Sequence, residues 1–209
     1  MLLAVLLESR LTKAKGVWKV IMYIPALTSV VISGLLFRLM FSEGDNGQLN
    51  VIMNALGKAS QPWLRSKSTG WCALLLLCVW RWTGVNILYY VAGLKAIDTS
   101  LYESGDIDGA NGWQKFRYIT LPALRPTFNY VVIFGLIGSF QVFDQVFILT
   151  SGGPDRATET IVYRIYTEAF GNGKLGYASA LSYVLLIMTL IVGLIQLYTN
   201  NKHEKEEIA

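Results

Sequence analysis

Histidine is nearly absent from this sequence: its one copy, His203, stands in a polar tail. That excludes a histidine-based metal centre or a Ser-His triad within the apolar part of the chain. Cysteine is almost as scarce. Cys72 and Cys78 lie in one apolar run, at a spacing that fits neither a CxxC redox pair nor a zinc site, so packing is their expected role. Charge is low as well, at 15% Asp, Glu, Lys and Arg, against roughly 25% in a soluble domain. No G-x-x-x-x-G-K-[ST] loop is present to cradle phosphates, and Gly152-Gly153 is a turn with no Lys-Ser/Thr behind it. Glu103, Asp106 and Asp108 lack the ligand register of an EF-hand, so calcium is not expected. No metal site is expected anywhere.

What the sequence has in excess is apolar surface. Hydrophobic residues make up 53%, mean hydropathy is +0.43, and the apolar residues come in runs. The fold class this implies is all-α, a polytopic integral membrane protein. A crossing takes roughly 20 helical residues, and four runs qualify: 18–41, 71–93, 127–150 and 177–198. Pro25 lies inside the first and is tolerable in a membrane helix. Trp71 and Tyr90 stand near the ends of the second, as in an interfacial belt. Residues 1–7 are apolar but too short to cross, and they lack the basic leader and cleavage site of a signal peptide. They read as the inner end of a helix, a remnant beside the four full spans.

The net charge of +4 forms no basic stripe, so nucleic acid is not an expected partner; the cations sit between the apolar runs. One side of the bilayer receives Arg10, Lys13, Lys15, Lys19, Lys95, Lys115, Arg117, Arg125, Lys202 and Lys205. The other receives Lys58, Arg65, Lys67, Arg156, Arg164 and Lys174. The first is therefore expected to be cytoplasmic. It carries the long polar loop 95–126. The loops 42–70 and 151–176 fall outside, the former with Gln61-Pro62-Trp63 read as an interfacial segment and the latter opened by Ser151-Gly152-Gly153-Pro154.

The cytoplasmic loop reads as two short helices around a glycine. Ser100 to Glu103 has capping-box spacing, which predicts a helix start near Ser100. Asp108-Gly109 is a stop signal, and Asn111 to Gln114 offers a second cap. Trp113 and Phe116 then share one face, with Lys115 and Arg117 turned away. Pro122 is expected to block continuation, and Pro126 suits the first turn of the next span. A helix pair outside the bilayer with an exposed aromatic face needs either a protein to dock into or its own helices to fold against.

Glu103, Gly109, Ile119, Leu121 and Pro122 fall at the spacing E-A-A-x3-G-x9-I-x-L-P. The loop thereby resembles the EAA motif of the permease subunits of bacterial binding-protein-dependent ABC importers. Ser104 and Gly105 replace the two alanines. Asp108, Ala110, Phe116, Arg117, Thr120 and Pro126 match the longer form seen in the sugar-transporting branch. So do the stretches 140–144, 149–154, 157–160 with Tyr166, and 176–180.

The resemblance implies the family's type I importer membrane domain, with a further helix and a half ahead of Met1. It implies that residues 103–122 couple to a separate ATPase, through Glu103, Ser104, Gly105, Asp108, Gly109, Trp113, Phe116, Ile119, Leu121 and Pro122. ATP and magnesium would sit on that partner, with no cofactor on this chain and no enzyme activity of its own. The other implied partners are a second permease, an extracytoplasmic solute-binding protein, a sugar and the lipid bilayer of the bacterial cytoplasmic membrane. A polyol or glycerol phosphate is the alternative solute.

Within the spans, Arg81 lies between Trp80 and Trp82, and an intramembrane arginine usually faces protein or a wet cavity. Gln141, Asp144 and Gln145 stand at i, i+3 and i+4, which puts them on one helical face. Asp144 is the expected partner for Arg81 or Arg38. Arg81, Trp82, Asn86, Gln141 and Asp144 are therefore the candidate substrate path, rings stacking on sugar faces and amides bonding hydroxyls. The competing assignment has the tryptophans facing lipid and the charges structural. Two other functional classes fit less well. A gradient-driven transporter should show inverted repeats, and a membrane enzyme needs a nucleophile, base or metal constellation.

Overall fold

The computed structural model describes residues 1–9, 12–45 and 47–208, the last eight by their backbone alone. Arg10, and the side chains of Lys202, His203 and Lys205, lie outside the described residues. The chain is all-α, with no strand among the described residues. Its helices are α1 (Leu2–Glu8), α2 (Lys15–Leu27), α3 (Val30–Met40), α4 (Gln48–Ala55), α5 (Lys67–Lys95) and α6 (Thr99–Ile107). Next come α7 (Gly112–Lys115), a π turn at Phe116–Thr120, α8 (Leu121–Ala123), α9 (Arg125–Phe140) and α10 (Asp144–Leu149). The last are α11 (Ile161–Tyr166), a second π turn at Thr167–Gly171, and α12 (Leu175–Ile208).

Two helices are long and apolar enough to cross a membrane: α5, and α12 over Leu175–Asn200, or up to four if each of two bent helix pairs counts as one crossing. The second and fourth expected spans are thus continuous. The first, 18–41, is not: α2 stops at Leu27 and α3 starts at Val30. Pro25 removes a donor from the last turn of α2. Thr28 and Ser29 then favour local side-chain bonding over helix, and Ser29 is extended at φ −52° and ψ 136°.

The third span, 127–150, is broken too. α9 ends at Phe140, and α10 begins only at Asp144. Gly135 and Gly138 weaken the helix just before the break. The Val142 carbonyl freed there accepts from Thr160 Oγ1 at 2.6 Å. Gln141 therefore lies in the break, and the polar stripe Gln141–Asp144–Gln145 does not form one helical face: Gln141 and Asp144 are exposed and Gln145 is buried.

The chain divides into two compact units. The first comprises Met1–Ala26 and Trp82–Gly135. Its core is Ala4, Leu7, Ile87, Tyr90 and Val91, with Met22 and Val131 packed against them. Tyr90 is thus a core residue rather than part of an interfacial belt. Gly84 is required here: an added Cβ would lie 2.0 Å from the Met22 carbonyl oxygen.

The second unit comprises Leu27–Arg81 and Leu136–Ala209. Phe37, Phe41, Leu74, Leu77, Val146 and Leu149 form its core. Asn50 organises the loop after α3. Its Nδ2 donates to the carbonyls of Gly44 and Gln61 at 3.0 Å each, while its Oδ1 accepts from Gln61 N at 2.9 Å and Trp63 Nε1 at 2.8 Å. Trp63 is half-buried with its ring edge-on to Phe41 at 6.1 Å, so it anchors the loop to the core.

Candidate functional site: the helix pair between α5 and α9

Asp98 starts the first loop helix. Its side chain accepts from Ser100 N at 2.9 Å, which caps α6 at Thr99 rather than through a Ser100 box. That bond to the Ser100 backbone holds the Asp98 carboxyl below its ordinary range. The far end closes as expected at Gly109, whose φ of +70° suits glycine. There Gly109 N donates to the Asp106 carbonyl and Ala110 N to the Gly105 carbonyl, the paired bonds of a Schellman stop. One residue later Asn111 and Gln114 form a reciprocal capping box, at 2.8 and 2.9 Å. The turn between the helices is therefore fixed by local bonds at both ends.

The two arms are tied together across Gly105, which is buried. Lys115 pairs with Asp106, and an added Cβ on Gly105 would meet the Ile119 side chain at 3.2 Å and that of Lys115 at 3.7 Å. Lys115 is thus folded over α6. Tyr102 Oη and the buried Thr120 Oγ1 share a hydrogen bond at 2.8 Å. This bond holds α6 against the π turn, and the sequence reading missed it. Pro122 does not stop the helix. The π turn bonds Leu121 N to the Phe116 carbonyl, and the helix passes through Pro122 to Ala123.

What this frame leaves exposed is a set of contact groups. The rings of Trp113 and Phe116 lie 5.7 Å apart, tilted by 37°, on one face as expected, with Trp113 70% exposed. Ile107, at the end of α6, is 88% exposed. Among the described residues, none forms a hydrogen bond or ion pair with Glu103, which is exposed. Ser104 and Asp108 are exposed as well, while Ile119 and Leu121 are half-buried. The arrangement is a locally fixed knob on which, among the described residues, the carboxylates of Glu103 and Asp108 have no side-chain partner and stand beside apolar and aromatic surface.

The description "binding-protein-dependent transport system inner membrane component" matches residues 1–203. The chain belongs to that family. It is 40% identical over 207 residues to the arabinooligosaccharides transport system permease protein AraP of Bacillus subtilis, covering 99% of this chain and 66% of the relative. With the lactose transport system permease protein LacF of Rhizobium radiobacter it shares 32% over 203 residues, 95% of this chain and 67% of that one. The chain thus spans about two thirds of the length of these curated permeases. The fold agrees with a solved bacterial ABC transporter involved in the import of the acidic polysaccharide alginate. The TM-score is 0.87 at 23% identity, over 96% of this chain and 71% of that one.

The candidate substrate-path residues fall in different places. Arg81 belongs to the second unit, where its Nη1 donates to the Thr28 carbonyl at 2.7 Å. Gln141 and Asp144 lie in the same unit, yet among the described residues no ion pair joins Asp144 to Arg81 or Arg38. Trp82 and Asn86 belong to the first unit, Trp82 exposed and Asn86 half-buried. Cys72 is exposed and Cys78 half-buried, so only Cys78 has the expected packing role in part.

Proposed function

We propose that this chain is the membrane-spanning permease subunit of an ATP-driven importer that carries a sugar across the bacterial cytoplasmic membrane, as a multi-pass protein. The observation that carries the reading is the knob between α5 and α9. Its turn is locked by the Gly109 stop and the Asn111 cap, while the Glu103 carboxylate has no partner among the described residues and Trp113 is 70% exposed. A rigid element of this kind transmits a push from a docked protein without dissipating it in local unfolding. The docked protein would be a separate ATPase that holds ATP and Mg²⁺, leaving the permease without a cofactor. Glu103 would pair there with a basic group, and Trp113 and Ile107 would fill apolar pockets.

The remaining partners are a second permease completing the pore and an extracytoplasmic solute-binding protein facing residues 42–70 and 151–176. A neighbouring fold was solved as the alginate transporter in complex with an alginate pentasaccharide-bound periplasmic protein. The names of the related permeases, arabinooligosaccharides, lactose and starch degradation products, favour a short oligosaccharide as the solute. The test is uptake into proteoliposomes holding the permease pair, the ATPase and the binding protein, with arabinotriose, lactose and maltotriose as a panel. ATP-dependent uptake of at least one is expected. Uptake of none, with the complex assembled, contradicts the sugar assignment.

A further inference from the structure

Four aromatic side chains and one amide of the first unit lie along α5 and α9 with little cover from their own chain. On α5, Trp82, Asn86 and Tyr89 stand at i, i+4 and i+7, which is one helical face. On α9, Tyr130 and Phe134 stand at i and i+4. The rings meet across the two helices: Tyr89 and Tyr130 are 5.2 Å apart at 70°, and Tyr130 and Phe134 are 4.4 Å apart at 42°. Tyr89 and Tyr130 are each 42% exposed, and Phe134 is 58% exposed. The next residue along α5, Tyr90, is buried in the core, so Tyr89 is on the outward face.

An acyl chain is a poor neighbour for this face. Among the described residues none bonds to the Asn86 amide, and in hydrocarbon an amide without a partner costs several kcal/mol. Water or a hydroxylated solute satisfies it. A sugar offers both surfaces such a face needs, C–H faces to lie on aromatic rings and hydroxyls to bond an amide or phenol.

Resting on the permease reading above, we infer that Tyr89, Tyr130 and Phe134, with Asn86 beside them, form a sugar-binding subsite on the exit half of the permeation path. Tyr89 stands six residues before Lys95, the end of α5 at the coupling loop, and Tyr130 five after Arg125, the start of α9. At 1.5 Å per residue both lie within about 10 Å of the cytoplasmic ends of their helices. The subsite would hold the leading sugar residue as it leaves, by stacking that tolerates different sugars, which suits a path serving oligosaccharides of varying length.

The experiment uses the complete importer in proteoliposomes and the panel sugar that the wild type takes up. Tyr89→Ala and Tyr130→Ala should lower uptake at subsaturating sugar about three- to tenfold, and Tyr130→Phe, which keeps the ring, should stay within about twofold of wild type. Ala variants that insert and assemble yet transport like wild type overturn the proposal. Should the Ala variants fail to assemble, Phe134→Cys in a Cys72→Ser/Cys78→Ala background is treated with a water-soluble maleimide without nucleotide. Labelling slowed severalfold by the same sugar supports the subsite. No labelling, or labelling that the sugar does not slow, marks the face as a lipid or subunit contact and overturns it. Absence of wild-type uptake for every panel sugar is a different failure, that of the permease reading itself.

Discussion

Arg81 lies midway along α5, and its Nη1 donates to the carbonyl of Thr28, 2.7 Å away, at the break between α2 and α3. A guanidinium at a helix C-terminus meets both an exposed carbonyl and the negative end of the helix dipole. This explains how an arginine is accommodated inside an apolar helix without a carboxylate: its partner is backbone.

The charge-swapped pair Arg81→Asp/Asp144→Arg should therefore be no better than Arg81→Asp alone in stability or transport. Arg81→Met should destabilise the permease by about 1.5–3 kcal/mol, the usual worth of a hydrogen bond to a charged group, read as a lowered midpoint in thermal unfolding of the assembled complex. Full rescue by the double reversal would restore the ion pair that the geometry lacks.

Asn50 carries the fold of the outer loop after α3 in the same way. Asn50→Ala leaves the Trp63 indole N–H, the Gln61 N–H and two carbonyls short of partners. Gly44 and Gln61 are exposed and can turn to water, so the loss centres on the half-buried Trp63 indole, about 1–3 kcal/mol for a buried donor left unpaired, and the loop should open locally. Tryptophan emission shifted to the red and faster amide exchange at Gln61 and Trp63 are the expected readings.

Two glycines of the loop between α5 and α9 should respond with opposite signs. Gly109→Ala forces φ +70° on a residue with a Cβ and should cost about 1–2 kcal/mol, with a matching loss of transport. Gly105→Ala adds a helix-favouring methyl worth about 0.5–1 kcal/mol. The 3.2 Å approach to Ile119 Cδ1 is relieved by moving the end of a flexible side chain, so Gly105→Ala should keep or raise helix stability. Amide exchange across 99–120 separates the two.

Glu168, in the outer loop, is buried beside Asn172, which donates at 3.0 Å, Arg164 at 2.7 Å and Lys174 at 3.8 Å. Asn172 first, then the charges of Arg164, Lys174 and Arg156, hold its carboxyl below the ordinary value of 4.5. A carboxylate with a depressed folded-state pKa contributes stability that is full above its unfolded value and is lost as pH falls through the folded one. The loop should accordingly loosen as pH drops below about 4.5, and Glu168→Gln should flatten that acid limb. An unchanged acid limb in the variant would assign it to other carboxylates.

The loop between α5 and α9 is the most legible part of the sequence, because what fixes it is local. The Gly109 stop, the Asn111–Gln114 box and the Trp113–Phe116 face each depend on residues within four positions of one another. The start of α6 falls at Thr99, beside the expected Ser100, but its cap is Asp98, which competes successfully with Ser100 for that role. Pro122 was read as a stop because one missing donor was weighed without the π turn that absorbs it. Breaks in the spans were hidden for a different reason. Thr28 is held by Arg81 and Val142 by Thr160, contacts across 53 and 18 residues, which hydropathy does not register. The same limit applies to the aromatic face: Tyr89 and Tyr90 are neighbours of one chemistry, and only packing puts one in the core and the other outside.

The central claim, that residues 103–122 couple a separate ATPase to solute movement, is tested most directly by Glu103→Lys in the reconstituted importer. Binding-protein-stimulated ATP hydrolysis and sugar uptake are measured together, with membrane insertion checked in parallel. Reversing the Glu103 charge should lower both by about tenfold or more, the scale of losing a charged contact at an interface, while the permease remains in the membrane. Hydrolysis and uptake both at wild-type levels would contradict the coupling role of this loop.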